Sequence, residues 1–209
     1  ENIVIKTQGF VSVNFKEGDK HPVALFRKLL ALYDGISKDQ LRENMRYFLS
    51  AIMPVCNEGD MYMCVHPDDP PFQVLGLPRI VTCDDDIKWF LNAVNDKHNG
   101  LTFCAGSLSA GAQNNLPELA RKYANRTWFV HLRSCYVFPN GDFTEASHLG
   151  GRANLIELCR IFEQEEQQRR DNPHVARLPM RVDHGMTMLG DEDKGYNAGY
   201  SFLGRMFAM

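Results

Sequence analysis

The 209-residue chain has no apolar run near the roughly 18 residues that a membrane-spanning helix requires, and its opening, ENIVIKTQGF, lacks the basic-then-apolar layout of a signal peptide. A cytoplasmic setting with no membrane partner is therefore expected. Nor does charge of one sign dominate. The 23 Lys and Arg are scattered among 26 Asp and Glu, for a net charge of −3, so no continuous positive field exists to hold nucleic acid. The six cysteines, Cys56, Cys64, Cys83, Cys104, Cys135 and Cys159, include no CxxC pair and lie in a chain far longer than a disulfide-stapled mini-domain. They read as reduced thiols, most of them small buried hydrophobes. No GxGxxG or GxxxxGK pattern follows any strand signal, which removes the glycine-rich phosphate turn usual in open doubly wound sheets. The 44% hydrophobic and 23% charged residues match ordinary globular domains and exclude disorder and collagen-like repeats. A first residue that is Glu, and a final GRMFAM inside a helical pattern, suggest part of a longer chain.

Helix and strand signals alternate. After a short strand signal at Ile3–Lys6, a helix is expected over Val23–Tyr33, stopped by Asp34-Gly35. A second begins at Ser37, where Ser37-Lys-Asp-Gln40 fits a capping box; Leu41, Met45, Phe48, Leu49, Ile52 and Val55 form its apolar face, and Asn57-Glu58-Gly59 closes it. Met61–His66 reads as a strand ended by Pro67-Asp-Asp-Pro-Pro. An acid-started helix follows from Asp84, then a turn at Asn99-Gly100, a strand over Leu101–Cys104 and a helix from Pro117. Thr127–Leu132 is the third strand, Leu155 to about Gln168 a long helix, and Met180–Asp183 the fourth strand. Strands apolar on both faces, alternating with helices, indicate a parallel sheet covered by helices.

The expected fold class is α/β, of the TIM-barrel (β/α)8 type with about the C-terminal half of the barrel present. Residues 1–209 would form one partial barrel domain, with 1–36 a lead-in segment and helix and 37–209 the repeating βα units. The barrel is preferred because the C-terminal ends of all four strands are polar and chemically capable, where barrel active sites are built. Those ends present His66, Cys104, His131 and Asp183. Two imidazoles, a thiolate and a carboxylate form a coordination set suited to Fe(II), Mn(II), Zn or Co(II). Any one of these residues alone is more often packing or a hydrogen-bonded cap. Four on successive strand ends shift that balance. Asp68 and Asp69 among prolines read as turn residues, Asp191-Glu192-Asp193 as a solvated loop, and Glu163–Arg170 as the wet face and end of a helix. Met186, Met188, Met206 and Met209 read as packing.

A series of longer motifs is more specific. VHPDDPP (Val65–Pro71), GLPRIV (Gly76–Val81), NGLTFCAGSL (Asn99–Leu108), FVHLRS (Phe129–Ser134), FTEASHLGG (Phe143–Gly151), PMRVDHG (Pro179–Gly185) and NAGYSFLGR (Asn197–Arg205) together resemble the mannonate dehydratase family, in order and at similar spacing. The resemblance implies a TIM-barrel lyase of hexuronate (glucuronate) breakdown. Such an enzyme removes water from D-mannonate to give 2-dehydro-3-deoxy-D-gluconate, with Fe(II) or Mn(II) as cofactor. It carries the family's metal ligands onto His66, Cys104, His131 and Asp183. The acid/base pair falls on His184 and Tyr200, and the substrate contacts on Arg133, His148 and Asp69. A sugar-acid substrate and a homo-oligomeric assembly are expected.

Some positions depart from the family pattern. His148-Leu-Gly-Gly-Arg152-Ala-Asn154 carries Arg and Asn where the family has two acids. Val182 replaces a proline, Met186 a basic or His residue, and Ala198 a proline. These changes keep two competing readings open at this stage: a metal-dependent sugar isomerase or epimerase on the same barrel, and a non-catalytic metal-binding relative.

Overall fold

The computed structural model describes residues 22–175, 177–185 and 193. The expected strand at Ile3–Lys6, the methionines at 186, 188, 206 and 209, and Tyr200 lie outside them. In chain order the elements are α1 (Pro22–Leu30), α2 (Lys38–Glu58), β1 (Met63–Val65), α3 (Asp84–Ala93), β2 (Asn99–Cys104), α4 (Ala105–Ala110), α5 (Leu116–Tyr123), β3 (Thr127–His131), β4 (Cys135–Val137), β5 (Phe143–Glu145), α6 (Leu155–Arg169) and β6 (Met180–Arg181). Strands β1, β2, β3 and β6 form one sheet in that order, every neighbouring pair parallel, while β4 and β5 form a separate antiparallel pair. Each parallel step is made through intervening helix, as parallel pairing requires. All four strands therefore end at the same rim.

Local chemistry sets the boundaries. The Ser37 hydroxyl accepts from the Gln40 backbone N–H at 3.1 Å and starts α2. A single 3-10 turn, Ala31–Tyr33, follows α1, and Gly35 then takes a φ of +80°, open to glycine without steric cost. Along α2 the buried residues are Leu49, Met53 and Cys56, whereas Phe48 and Val55, placed on the apolar face by spacing, are exposed. The apolar stripe is thus rotated toward Met53 and Cys56. That rotation leaves Phe48 and Val55 on the outer side of the helix.

Asn99-Gly100 is the clearest departure from the sequence reading. The pair is not a turn but the buried start of β2. The Asn99 amide donates to the carbonyls of Phe90 and Val94 at 3.2 and 3.1 Å, and a Cβ at Gly100 would lie 2.0 Å from Trp128 Nε1. Glycine is needed here for the close approach of the Trp128 indole. Glu163–Arg170 is also less wet than expected, because Arg169 is buried: its guanidinium donates to the Ala124 carbonyl and stacks 4.7 Å from the Trp128 ring.

The core gathers Leu49 and Met53 of α2, Ile87 and Phe90 of α3, Leu119 of α5, and Leu158 and Phe162 of α6 against Leu101, Phe103 and Val130 of the sheet. Along β2, Leu101 and Phe103 join this cluster, and alternation turns Thr102 and Cys104 to the opposite face. A fully buried strand thus puts hydrocarbon on one side and a thiol on the other.

Candidate metal centre

Three of the strand ends converge. A ligand atom each from His66, Cys104 and His131 lies within 4.8 Å of the other two. His66 follows β1 directly, and its Nδ1 donates to the Pro67 carbonyl at 2.7 Å, which leaves Nε2 as the nitrogen with a free lone pair. Cys104 ends β2 and caps α4; its Sγ accepts from the Ser107 hydroxyl at 3.2 Å and the Ser107 backbone N–H at 3.5 Å. His131 ends β3, braced edge-on by Phe129 with ring centroids 4.9 Å apart. Neither of its buried ring nitrogens has a hydrogen-bond partner. An orphaned buried imidazole costs free energy unless something accepts or coordinates it. The donor set thus fits a borderline divalent cation.

Electrostatics point the same way. Burial pushes the Cys104 thiol up, but the imidazoles of His131 and His66 and the Ser107 hydroxyl more than offset it, and its pKa falls to about 6. Burial likewise opposes the protonated form of His66, yet the adjacent Cys104 sulfur outweighs it and raises that pKa. Cys135, equally buried, shows the contrary case. Burial dominates there and carries the thiol up to about 11, although Arg133 pulls against it.

Asp183 stands beside the three rather than among them. Its Oδ2 is 3.7 Å from His131 Nδ1, and its Oδ1 accepts from Arg181 at 2.5 Å. The strand reading over Met180–Asp183 is shortened to Met180–Arg181, and Asp183 adopts a φ of +62°. This left-handed residue breaks the strand alternation, and Asp183 Oδ2 and His184 Nε2 stand 3.9 Å apart instead of on opposite faces. Burial opposes ionisation of Asp183, but Arg181, His131 and His184 outweigh it and hold its carboxyl below the usual range. His184 is lowered from its ordinary value by burial first and by Arg133 second. His148 is buried and donates from Nε2 to the Val182 carbonyl at 2.8 Å, tying its loop to the segment that carries Asp183.

Arg133 lies under this rim, 4% exposed, its stem crossing the position where Gly106 has no side chain. Its Nε and one terminal nitrogen donate to Glu145, and the other terminal nitrogen donates to Asp69 at 2.5 Å. Two carboxylates thus raise the Arg133 pKa against the opposing effect of burial. Asp68 does a separate job: it accepts from the backbone N–H groups of Ile80 and Val81 at 2.7 and 2.8 Å and orders the proline-rich loop. Sequence reasoning gave no role to Glu145 or Ser107. An arginine at a buried strand end needs a carboxylate, and of the first two that follow it, Asp142 and Glu145, the fold selects Glu145.

Residues 11–209 match the family model described as D-mannonate dehydratase (UxuA). The chain belongs to the mannonate dehydratase family. It is 42% identical over 189 residues to the mannonate dehydratase of Marinomonas sp. (strain MWYL1), an alignment covering 90% of this chain and 48% of that protein. It is 39% identical over 178 residues to mannonate dehydratase 2 of Agrobacterium fabrum (strain C58), covering 85% and 45%. The chain therefore spans about half the length of the curated relatives it matches. The crystal structure of mannonate dehydratase from Streptococcus suis serotype2 superposes with a TM-score of 0.78 at 29% identity, covering 91% of this chain and 53% of that one.

Two departures from the family pattern have structural roles here. Arg152 donates to the carbonyls of Ser109, Gly111 and Ala112, closing the end of α4. Asn154, at a φ of +48°, caps α6 through the Glu157 N–H.

Proposed function

We propose that this chain carries the metal site of a D-mannonate dehydratase, forming 2-dehydro-3-deoxy-D-gluconate in glucuronate catabolism. The observation that carries the reading is the convergence of His66, Cys104 and His131, with neither His131 nitrogen hydrogen-bonded, in a chain of this family. The parallel sheet is, in this proposal, part of a (β/α)8 barrel. Both of its edge strands, β1 and β6, are unpaired on their outer sides among the described residues, and closure of a barrel would pair them. Six free cysteines suit a reducing cytoplasm.

Dehydration of a 2,3-dihydroxy acid removes a weakly acidic C2 proton and expels a poor leaving group from C3. His66, Cys104 and His131, joined by Asp183, would hold Fe(II) or Mn(II). Such an ion, when bound, supplies Lewis acidity to the substrate oxygens. With its lowered pKa, Cys104 serves as a thiolate donor rather than a nucleophile. His184 and Tyr200 form the proton-transfer pair: one takes the C2 proton, the other protonates the departing C3 hydroxyl, and the resulting enol becomes the 2-keto acid. Arg133 keeps two N–H protons beyond those given to Glu145 and Asp69, enough to meet a substrate carboxylate. Asp69 and His148 complete the substrate contacts.

The test is 2-keto-3-deoxy acid formation from D-mannonate by the full-length protein, prepared without oxygen and supplied with Fe(II) or Mn(II). Product that requires both the metal and Cys104 is expected. Bound metal with no product would overturn the reading.

A further inference from the structure

From the ion-pair chain around Arg133 we infer that Glu145 is a positioning residue of the dehydration reaction, acting through Arg133 and His184. The inference rests on the dehydratase reading above. Glu145 ends β5, the second strand of a hairpin that follows β3, where Cys135 and Glu145 stand opposite each other in the antiparallel register. The hairpin thus folds its last residue back over the strand end from which Arg133 departs. One carboxylate serves two groups there. Its Oε1 accepts from Nε and a terminal nitrogen of Arg133 at 3.0 and 2.5 Å. Its Oε2 lies 3.1 Å from Arg133 Nε and 3.6 Å from His184 Nδ1.

The arrangement fixes orientation on both sides. A bidentate carboxylate sets the plane of the guanidinium, and Asp69 pins its other terminal nitrogen from the loop after β1. The two remaining Arg133 protons then have defined directions. On the other side, the Oε2 carboxylate oxygen beside Nδ1 favours the tautomer with its proton on Nδ1, which leaves Nε2 as the working nitrogen of the imidazole. Without Glu145, Arg133 would be a buried cation with Asp69 as its one acidic partner among the described residues, and the carboxylate beside His184 Nδ1 would be gone. Among the described residues no other carboxylate lies within ion-pair distance of both Arg133 and His184.

Glu145→Gln in the full-length, metal-loaded protein tests this, because the amide keeps the size and loses the charge. With D-mannonate as substrate, kcat is expected to fall about 10- to 100-fold and KM to rise, because Arg133 meets the substrate carboxylate, with metal content held. Glu145→Asp, which keeps the charge on a shorter stem, is expected to recover part of the lost kcat. A Glu145→Gln kcat equal to that of the parent would overturn the inference. So would a loss of metal content in step with activity, or an Asp variant no better than Gln, since either describes a merely structural residue. A parent protein that makes no 2-keto-3-deoxy acid would overturn the dehydratase reading and this inference with it; an active parent with an unaffected Gln variant overturns this inference alone.

Discussion

The two ends of the parallel sheet treat a buried histidine in opposite ways. At the end where the strands begin, His98 is 1% exposed and both ring nitrogens are paired, Nδ1 with Asp96 at 3.0 Å and Nε2 with Asp60 at 3.2 Å. At the end where they finish, His131 is 8% exposed and neither ring nitrogen has a hydrogen bond. Burial is nearly equal, so burial does not separate them. The separating fact is what the neighbours offer: His98 has a carboxylate within hydrogen-bond distance of each ring nitrogen and the tilted ring of Tyr62, whereas His131 has the Cys104 thiol, another imidazole and a carboxylate no nearer than 3.7 Å. A histidine whose needs are met from within the fold holds the fold together. A histidine left wanting beside a low-pKa thiol is prepared for something from outside it.

Substitutions at the two ends should therefore fail in different ways. The largest expected effect is at the finishing end: Cys104→Ala should lower metal-dependent turnover by more than about 100-fold, beyond what changes outside the coordination shell cost, with the melting temperature of the metal-free chain little changed. Metal analysis beside a melting curve separates these. His98→Ala should do the reverse. It should cost about 2–3 kcal/mol of unfolding free energy in urea, from the lost packing of a buried ring, while metal content stays at the parent level. A His98 variant that lost metal without losing stability would break the comparison.

Much of this contrast is legible in the sequence, for a physical reason. Strand ends are marked by Pro67, by Gly106 and by His131, Arg133 and Ser134, so the approach of His66, Cys104 and His131 follows once the strands are parallel. What escapes is decided by partners distant in sequence. Asn99-Gly100 has the composition of a turn, and only the Trp128 indole, 28 residues on, explains the glycine. Arg169 sits in a polar run, and only Trp128 and the Ala124 carbonyl bury it. The β4–β5 hairpin has strands of three residues each, too short to leave a periodic signal, and with it the placement of Glu145 was hidden. The left-handed Asp183 was hidden for a related reason, since nothing in Pro179–Gly185 marks which residue turns.

Two smaller effects sharpen the comparison. His131→Leu removes two unsatisfied buried nitrogens, so the metal-free chain should gain about 1 kcal/mol of stability while metal binding is lost. A loss of stability instead would mean that the imidazole is satisfied within the fold. The smallest effect is a pH dependence at the starting end. The backbone N–H of His98 holds the Asp96 carboxyl below its ordinary value of 3.8, and the His98 side chain does the same for Asp60. A depressed carboxylate contributes its stability above the unfolded pKa and loses it as pH falls through the folded one. Unfolding midpoints should therefore decline below about pH 4, and His98→Ala, which keeps the backbone N–H to Asp96, should flatten only the Asp60 share of that decline. An unchanged acid slope in the variant would show that Asp60 does not depend on the His98 side chain.

The central claim is that His66, Cys104 and His131 bind a metal ion together. Anaerobic titration of the protein with Co(II), followed by its thiolate-to-cobalt charge-transfer absorption, tests it most directly. The band should rise to one equivalent per chain and be absent from Cys104→Ala. A titration with no such band, or a band that persists in Cys104→Ala, would contradict the claim.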